Sequence, residues 1–215
     1  MTESIVVSKG PCDKCGSSDG NVLYDDGHSY CFVCEAYTHG DNVMQQTETV
    51  TLTSSHELGR AVQAWQQAKT VAIPERSLTS ATASKYKVAV IGENHYYPYF
   101  SAESTDPVGF KVRHVKTKAF RAIGDIKSGG LFGQQRYGNH KQNRVVVVEG
   151  ELDALAASAL FDDKVAVVSL KGGAAAAAKD FKAAYNFLDG FTEIVVCFDA
   201  DEAGLSAVEK AAEVF

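Results

Sequence analysis

The segment from Arg144 to Phe215 alternates between apolar runs and alanine-rich runs, and this alternation constrains the fold more than any other feature of the sequence. The runs RVVVVE, VAVVSL and EIVVCFD have the composition of strands that are buried on both faces. The runs that follow them, LDALAASALF, AAAAAKDFKAAYNFLD and AGLSAVEKAAEVF, are typical of helices. Strands that alternate with helices pair in parallel through right-handed crossovers. We therefore predict a parallel α/β sheet with helices on both faces.

Acidic residues directly follow the first and third of these strands. They are Glu149, Glu151 and Asp153 after the first strand, and Asp199, Asp201 and Glu202 after the third. Ligands of an open parallel sheet bind beyond the carboxyl ends of its strands, so neighbouring strands would bring both clusters into one site. Asp153 and Asp201 could each be a helix cap. A cap does not explain Glu149 or Asp199, because each lies at the tip of an apolar strand.

These clustered acids predict a metal site. Like charges at such close range raise one another's pKa unless a cation lies between them. Magnesium typically takes one or two carboxylates together with substrate phosphates. Two such ions can activate an attacking oxygen and stabilise a leaving one. We therefore predict a magnesium-dependent phosphoryl-transfer site that holds one or two ions.

The middle strand ends in SLKGG, a glycine-rich turn before a helix. Gly172 and Gly173 in such a turn can bind an anion at the helix start, and Lys171 would assist through its charge. A plain tight turn is nearly as good an interpretation. The Gly-x4-Gly-Lys-Ser/Thr pattern of a Walker A loop does not occur in the sequence, so no ATP-driven motor is predicted from this chain.

Four of the five cysteines form two Cys-x2-Cys pairs, Cys12 with Cys15 and Cys31 with Cys34. Two such pairs supply four thiolates for one tetrahedral, structural zinc ion. Four thiolates fill the coordination shell, so this zinc leaves no open position for catalysis. A core of free thiols is a poor alternative, because the segment has few apolar residues.

The hairpin between the two cysteine pairs carries Asp26, His28 and Tyr30 near its tip. These side chains can hydrogen-bond to bases or stack on them. The module has only two basic residues, Lys9 and Lys14, so it cannot bind nucleic acid strongly through phosphates. The alternative is that His28 only braces the cysteine module, and the residue types leave the two interpretations close to even.

The middle of the chain concentrates positive charge. The net charge is −6, yet residues 108–144 contain nine Lys or Arg and a single acid, Asp125. This asymmetry favours a path for a polyanion over a merely solvated surface. The segments KVAVIG, YYPYF, VGFKVRHV and KAFRAIG predict short antiparallel strands that carry the charge.

The pattern along the chain predicts four parts. Residues 1–43 form the zinc module, 44–58 a flexible Thr/Ser/Gln-rich linker, 59–143 a basic subdomain that starts with a short helix, and 144–215 the parallel α/β subdomain. No run reaches the roughly 18 apolar residues of a membrane helix. The N-terminus has no apolar signal core, so we expect a cytoplasmic protein with no membrane partner.

Several motifs together resemble one family. A strand ending in Glu-Gly, followed about 50 residues later by a strand ending in Asp-x-Asp, resembles the TOPRIM fold of primases, topoisomerases and related nucleases. The segment PCDKCGSSDGNVLYDDGHSYCFVCE is similar to the zinc-binding domain of phage replicative primase–helicases. The order and spacing of that family are also matched by KVRHVKTKAF, LFG, VVVVEGELDAL, VVSLKGGAAAAAK and CFDADEAG.

This resemblance implies a DNA primase, a nucleotidyltransferase that makes short RNA primers from NTPs on single-stranded DNA for phage replication. Glu149 is then the catalytic or metal-associated carboxylate, Asp199 and Asp201 bind magnesium, and Glu151, Asp153 and Glu202 support the site. Asp26 and His28 lie where such proteins read a template trinucleotide. Template or nucleotide phosphates are contacted by Lys111, Arg113 and Lys118. The implied partner is a replicative helicase, fused or separate, and the host cytoplasm is the implied location.

The family usually continues beyond this point with another strand and then a helicase, so the TOPRIM part is expected to be truncated. Three alternatives use the same motifs. A zinc- and TOPRIM-containing recombination mediator binds DNA without catalysis, a TOPRIM nuclease or topoisomerase uses the same acids, and an inactive remnant of a primase retains only DNA binding. A mediator usually carries a helix-hairpin-helix segment before the zinc, and only ten residues precede Pro11.

Overall fold

The computed structural model describes most of the chain, namely residues 6–24, 28–38, 44–138, 142–162 and 164–215. For residues 44–54 it describes the main chain alone. The chain divides into two compact units, residues 1–56 and 57–215. No helix among the described residues is both long and apolar enough to cross a membrane.

The first unit contains a small antiparallel sheet. Its strands pair in the order β1-β2-β3-β4, and they are β1 (Val6–Gly10), β2 (Asn21–Tyr24), β3 (Ser29–Cys31) and β4 (Tyr37–Thr38). Among the described residues of this unit, only Cys12, Val22 and Cys31 are buried hydrophobic residues. So small an apolar core cannot stabilise a sheet by itself, and a cross-link of some kind is needed.

One helix, α1 (Met44–Gln67), covers the segment that we predicted as a linker. The backbone at 44–58 is therefore helical, where we expected a flexible linker. The segment is polar, but it contains neither proline nor glycine, and the helix that starts there continues into the apolar part of α1. In that part Ala61, Val62 and Trp65 pack on the next sheet.

The second unit contains an antiparallel sheet, as predicted from the sequence. Its strands pair in the order β5-β6-β7-β8, and they are β5 (Ala89–Ile91), β6 (Asn94–Tyr99), β7 (Gly109–His114) and β8 (Phe120–Gly124). One face presents Phe110, Val112 and Ile123 to α1. Because side chains alternate along a strand, the opposite face of β7 carries Lys111 and Arg113.

Short elements frame this sheet. A single 3-10 turn at Pro74–Arg76 and the helix α2 (Ser80–Lys85) precede β5. Thr79 caps α2, with its hydroxyl oxygen accepting from the backbone N–H of Thr82 at 3.2 Å. A second 3-10 helix, Gln134–Tyr137, follows β8. These segments place Glu75 and Arg76 beside β6, where Nε2 of His95 lies 3.5 Å from Oε1 of Glu75.

The parallel sheet predicted after Arg144 is present. Its strands are β9 (Arg144–Val148), β10 (Ala166–Ser169) and β11 (Glu193–Cys197), in the order β10-β9-β11. Val148, at the end of the central strand, pairs with Ser169 on one side and Cys197 on the other. The three strands therefore end at the same edge, and Glu149 emerges at its centre.

Helices cover both faces of this sheet, as its apolar strands require. They are α3 (Glu151–Leu160), α4 (Ala177–Ala183), α5 (Tyr185–Leu188) and α6 (Glu202–Ala212). Val145 and Val147 face the core formed with Phe181 of α4 and Ala207 of α6. The other face of β9 packs against α3 and against residues of β6. The helix predicted at 174–189 is divided into a 3-10 turn, α4 and α5.

Candidate functional site

The four cysteines converge in the first unit. Their sulfur atoms all lie within 4.8 Å of one another, and the Cys12–Cys34 and Cys15–Cys31 sulfur pairs are both 3.7 Å apart. A tetrahedral zinc ion with bonds of about 2.3 Å has sulfur–sulfur edges of about 3.8 Å. The cysteine geometry therefore fits one structural zinc ion, as the spacing predicted.

Backbone hydrogen bonds shape the two cysteine turns. The Cys12 N–H donates to Ser17 O at 2.8 Å, and the Cys31 N–H donates to Ala36 O at 2.9 Å. A hydrogen bond from the Cys34 backbone lowers the pKa of the Cys31 thiol to about 6. The pKa of the Cys34 thiol moves the other way. A backbone hydrogen bond from Ala36 lowers it, but desolvation and the neighbouring sulfurs together raise it to about 12. Four thiols so close together ionise jointly only around a cation.

His28 lies in an aromatic stack beside the cysteine turns. Its ring is stacked on Tyr24, with centroids 4.2 Å apart and planes 10° apart, and on Tyr37 at 5.3 Å. Tyr37 is about half exposed, so the stack reaches solvent. A ring stacked in this way braces the module and also offers an edge to a base. Asp26, the other predicted template-reading residue, lies outside the described residues.

Glu149 and Asp199 meet at the carboxyl edge of the parallel sheet. The Asp199 backbone N–H donates to Oε1 of Glu149 at 2.9 Å. Gly204 of α6 packs against both, since a Cβ at this position would overlap the Asp199 carbonyl oxygen and lie 3.1 Å from Oε1 of Glu149. The helix therefore approaches the strand ends as closely as a backbone can, and only glycine permits it.

Asp201 has a structural function as well as a predicted metal function. It is the N-cap of α6, and its Oδ1 accepts from the Gly204 N–H at 2.8 Å. Its second carboxylate oxygen has no such bond to the helix. Glu202 begins α6 and is exposed, together with Asp199 and Asp201. These carboxylates offer the hard oxygen ligands that magnesium prefers.

Asp153 is electrostatically coupled to this edge. The pKa of Asp153 is raised above its ordinary value. Desolvation is the largest cause, and repulsion from the Asp199 carboxylate is the second. Its Oδ2 also lies 2.8 Å from where a Cβ of Gly150 would be. Asp153 therefore turns back toward the acids at the strand ends. Among the described residues, the ligand atoms of three or more metal-binding side chains come within 4.8 Å of one another only at the cysteines.

Glu151 lies elsewhere, although it is only two residues from Glu149. It is 4% exposed, and its Oε1 accepts a hydrogen bond from the Tyr99 hydroxyl and lies 2.7 Å from Nζ of Lys111. The carboxylate thus faces the antiparallel sheet. It is the partner of a predicted phosphate-binding lysine, and its charge also contributes to the raised pKa of Asp153.

The turn at Lys171 is occupied by the protein's own groups. The N–H groups of Lys171 and Gly172 donate to Oδ2 of Asp180 at 2.7 and 3.2 Å. The Lys171 ammonium donates to the carbonyl oxygens of Gly129 and Lys127 at 2.8 and 3.1 Å. The structure therefore favours the tight turn, in which Lys171 holds the segment after β8 against the parallel sheet.

Arg113, another predicted phosphate-binding cation, lies on the same face of β7 as Lys111. It is 5% exposed, and its Nη1 has no hydrogen-bond partner among the described residues. His95 pairs with Arg113 across the strands and contacts the Tyr97 hydroxyl at 3.3 Å. Burial lowers the pKa of His95. The negative charge of Glu75 raises this pKa in part, and the positive charge of Arg113 lowers it further. A buried guanidinium whose donor has no partner destabilises the fold, unless an anion binds and accepts the hydrogen bond.

The basic segment is partly neutralised by acids from outside it. The pairs are Lys111–Glu151, Lys116–Glu93, Arg121–Glu57 and Arg144–Glu193. Arg136 instead packs on Tyr86, with its guanidinium 4.3 Å from the ring centroid. Lys118 is exposed in the β7–β8 turn, and no ion pair involves it in the part of the chain that the structure describes. The free charge for a polyanion is therefore smaller than the composition implies.

Sequence reasoning missed the residues that hold these groups in place. Tyr99, Gly204 and Asp180 each contact a predicted site residue, and none of them belongs to a charge cluster or metal-ligand pattern. Only Gly204 had a signal, because a glycine in the first turn of a predicted helix indicates a close approach.

The fold and the site define a class: a four-cysteine zinc-type module joined to a basic antiparallel sheet and a Toprim-type parallel sheet with an acidic edge. A family model described as Toprim-like matches residues 146–215. A DNA helicase/primase of Enterobacteria phage T3 is 35% identical over 99% of this chain, which spans 38% of that relative.

Two solved structures from bacteriophage T7 are also similar. The primase fragment of the T7 primase-helicase protein is 33% identical, with a TM-score of 0.62, over 98% of this chain and 87% of that one. Primase domains solved with the T7 lagging-strand DNA polymerase, an RNA/DNA hybrid and dTTP are 37% identical, with a TM-score of 0.60, over 68% of this chain and 74% of that one. The chain belongs to the phage primase–helicase family and matches its primase portion.

Proposed function

We propose that this chain is a primase that synthesises short RNA primers from NTPs on single-stranded DNA. The observation that carries the proposal is the acidic edge at Glu149 and Asp199, in a chain that matches a phage primase fragment over nearly its whole length. The T3 relative is named a helicase/primase, so we further propose that a replicative helicase, fused or separate, is the partner.

The reaction requires the 3′-hydroxyl of one nucleotide to attack the α-phosphorus of the next. The new bond joins that oxygen to phosphorus, the bond to the β-phosphate breaks, and pyrophosphate leaves. Glu149 is the group we assign to receive the hydroxyl proton, either directly or through water. Glu149, Asp199 and Asp201 would hold one or two magnesium ions, which supply charge neutralisation at the transferring phosphate.

The polar face of β6 and β7 supports binding of the triphosphate. Lys111 is 20% exposed, and an ammonium has three N–H bonds, so it can donate to Glu151 and to a ligand at once. On the same face lies the buried Arg113, whose Nη1 has no partner within the described ranges, and we assign it as a second donor. The exposed Lys118 is assigned to the template backbone. Asp26 and His28 are assigned to reading the template bases, with His28 held by its tyrosine stack.

The test is RNA synthesis from labelled NTPs on random single-stranded DNA, with the wild type and Glu149→Gln. The wild type should form short RNA only when template and magnesium are present. Glu149→Gln should reduce the rate at least about a hundredfold, because a positioned general base contributes about that much. Absence of any NTP-dependent product from the wild type would rule out the proposal. Degradation of the template in its place would favour the nuclease alternative.

A further inference from the structure

Tyr99, Glu151 and Lys111 form a buried polar group that links the two sheets of the second unit. Glu151 starts α3, beside the central strand of the parallel sheet, while Tyr99 and Lys111 belong to β6 and β7. Tyr99 is 1% exposed and Glu151 is 4% exposed, so their polar atoms are shielded from bulk water and bond within the protein. From this geometry we infer that Tyr99 and Glu151 are positioning residues that fix the Lys111 ammonium for the triphosphate of an NTP.

The carboxylate of Glu151 depends on both donors. A buried carboxylate that loses a partner is strongly destabilised, because its charge is left without compensation. Lys111 therefore cannot swing away from Glu151 when a ligand arrives. Its ammonium stays 2.7 Å from Oε1 of Glu151 and directs its other N–H bonds elsewhere. A cation that is fixed before the ligand binds loses little conformational entropy on binding.

The hydroxyl of Tyr99 sets the position of the carboxylate. Its ring packs in the apolar core, with its centroid 5.9 Å from that of Phe132, so the hydroxyl has little freedom to move. A carboxylate held only by Lys111 could rotate with the lysine. The fixed Tyr99 hydroxyl holds the Glu151 carboxylate in place, and this carboxylate in turn holds the Lys111 ammonium that faces the ligand.

This inference gives Glu151 a role distinct from that of the other acids. It acts through a lysine on the nucleotide, whereas Glu149, Asp199 and Asp201 act on magnesium in the proposed function. Changes to Glu151 should therefore alter nucleotide affinity and leave the magnesium requirement alone. The inference rests on the proposed function for its ligand, an NTP.

The test compares the wild type with Tyr99→Phe, Glu151→Gln and a matched control, Tyr86→Phe. Tyr86 is also a fully buried tyrosine, and its hydroxyl donates to Val167 O at 2.9 Å, so its loss removes a comparable hydrogen bond away from Lys111. The measurements are KM for ATP, kcat, the magnesium concentration for half-maximal synthesis, and the Kd of a fluorescent ATP analogue with magnesium. The last measurement requires no synthesis.

We expect Tyr99→Phe and Glu151→Gln to raise KM and Kd about fivefold to tenfold, with kcat and the magnesium midpoint changed less than about twofold. Tyr86→Phe should change none of these beyond about twofold. Unchanged ATP affinity in Tyr99→Phe and Glu151→Gln, or an equal loss in Tyr86→Phe, overturns the inference. Failure of the wild type to bind the analogue also overturns it. A wild type that binds the analogue yet makes no RNA refutes the proposed function alone, and the Kd comparison still decides the inference.

Discussion

Replacing Gly204 by alanine is expected to abolish RNA synthesis almost completely while most of the fold survives. The added Cβ would overlap the carbonyl oxygen of Asp199 and crowd Oε1 of Glu149. Because the overlap is with backbone, α6 and the Asp199 segment must move apart, and the Asp199 N–H to Glu149 hydrogen bond is lost or lengthened. A displacement of about 1 Å in a catalytic group costs on the order of a hundredfold in rate.

We expect Gly204→Ala to reduce the free energy of unfolding much less severely than it reduces RNA synthesis. Overpacking of this kind costs about 1–3 kcal/mol of unfolding free energy, so the variant should still fold at 25 °C. The measurements are initial rates of NTP incorporation and chemical denaturation followed by circular dichroism. Gly59→Ala is the matched control, since Gly59 lies within α1 and its Cβ would meet nothing within 4 Å. It should stabilise the protein by about 0.5–1 kcal/mol and leave the rate unchanged. Near-wild-type activity in Gly204→Ala would contradict the geometry described for the acidic edge.

Removal of zinc is expected to unfold the first unit and leave the second intact. The described part of the module buries only Cys12, Val22 and Cys31 as apolar residues, so folding must come from metal binding. Structural zinc supplies roughly 10–16 kcal/mol in comparable small modules. Cys31→Ser should therefore release the metal and collapse the amide NMR signals of residues 6–38. Those of residues 57–215 should persist.

Cys197→Ser provides the control for this experiment. Cys197 is an exposed cysteine at the end of β11, and its sulfur is not part of the four-cysteine group. Its replacement should leave one zinc per chain, measured by metal analysis, and an unchanged spectrum. A module that keeps dispersed signals in Cys31→Ser, or after chelation, would show that the metal does not hold the fold.

Patterns of residue type predicted much of this fold. The periodicity after Arg144 predicted β9, β10, β11 and their helices, and the cysteine spacing predicted the convergence of four sulfurs. Both features are local: buried strands need continuous apolar runs, and metal turns need a fixed spacing. The helical backbone at residues 44–58 was not predicted, because polar composition does not prevent a helix when an adjoining apolar stretch anchors it.

The arrangement within the site was less accessible from the sequence. Glu149 and Glu151 are two residues apart, yet one faces Asp199 and the other faces Lys111. Likewise, Lys171 has the residue type of an anion-binding group, but its ammonium bonds two backbone carbonyls. Tertiary contacts such as these depend on how two sheets pack, and no local pattern encodes which partner a charged side chain meets.

In the function proposed above, the acids at the strand ends hold the magnesium that primer synthesis requires, and Asp201 offers the most direct test of this assignment. Asparagine caps a helix about as well as aspartate, so Asp201→Asn preserves the bond to the Gly204 N–H but removes the charge. We measure RNA synthesis against magnesium concentration for the wild type and Asp201→Asn. We expect equal thermal stability and a midpoint magnesium concentration at least about tenfold higher in the variant. Superimposable magnesium curves would contradict the assignment of Asp201 to magnesium and leave it as a helix cap alone.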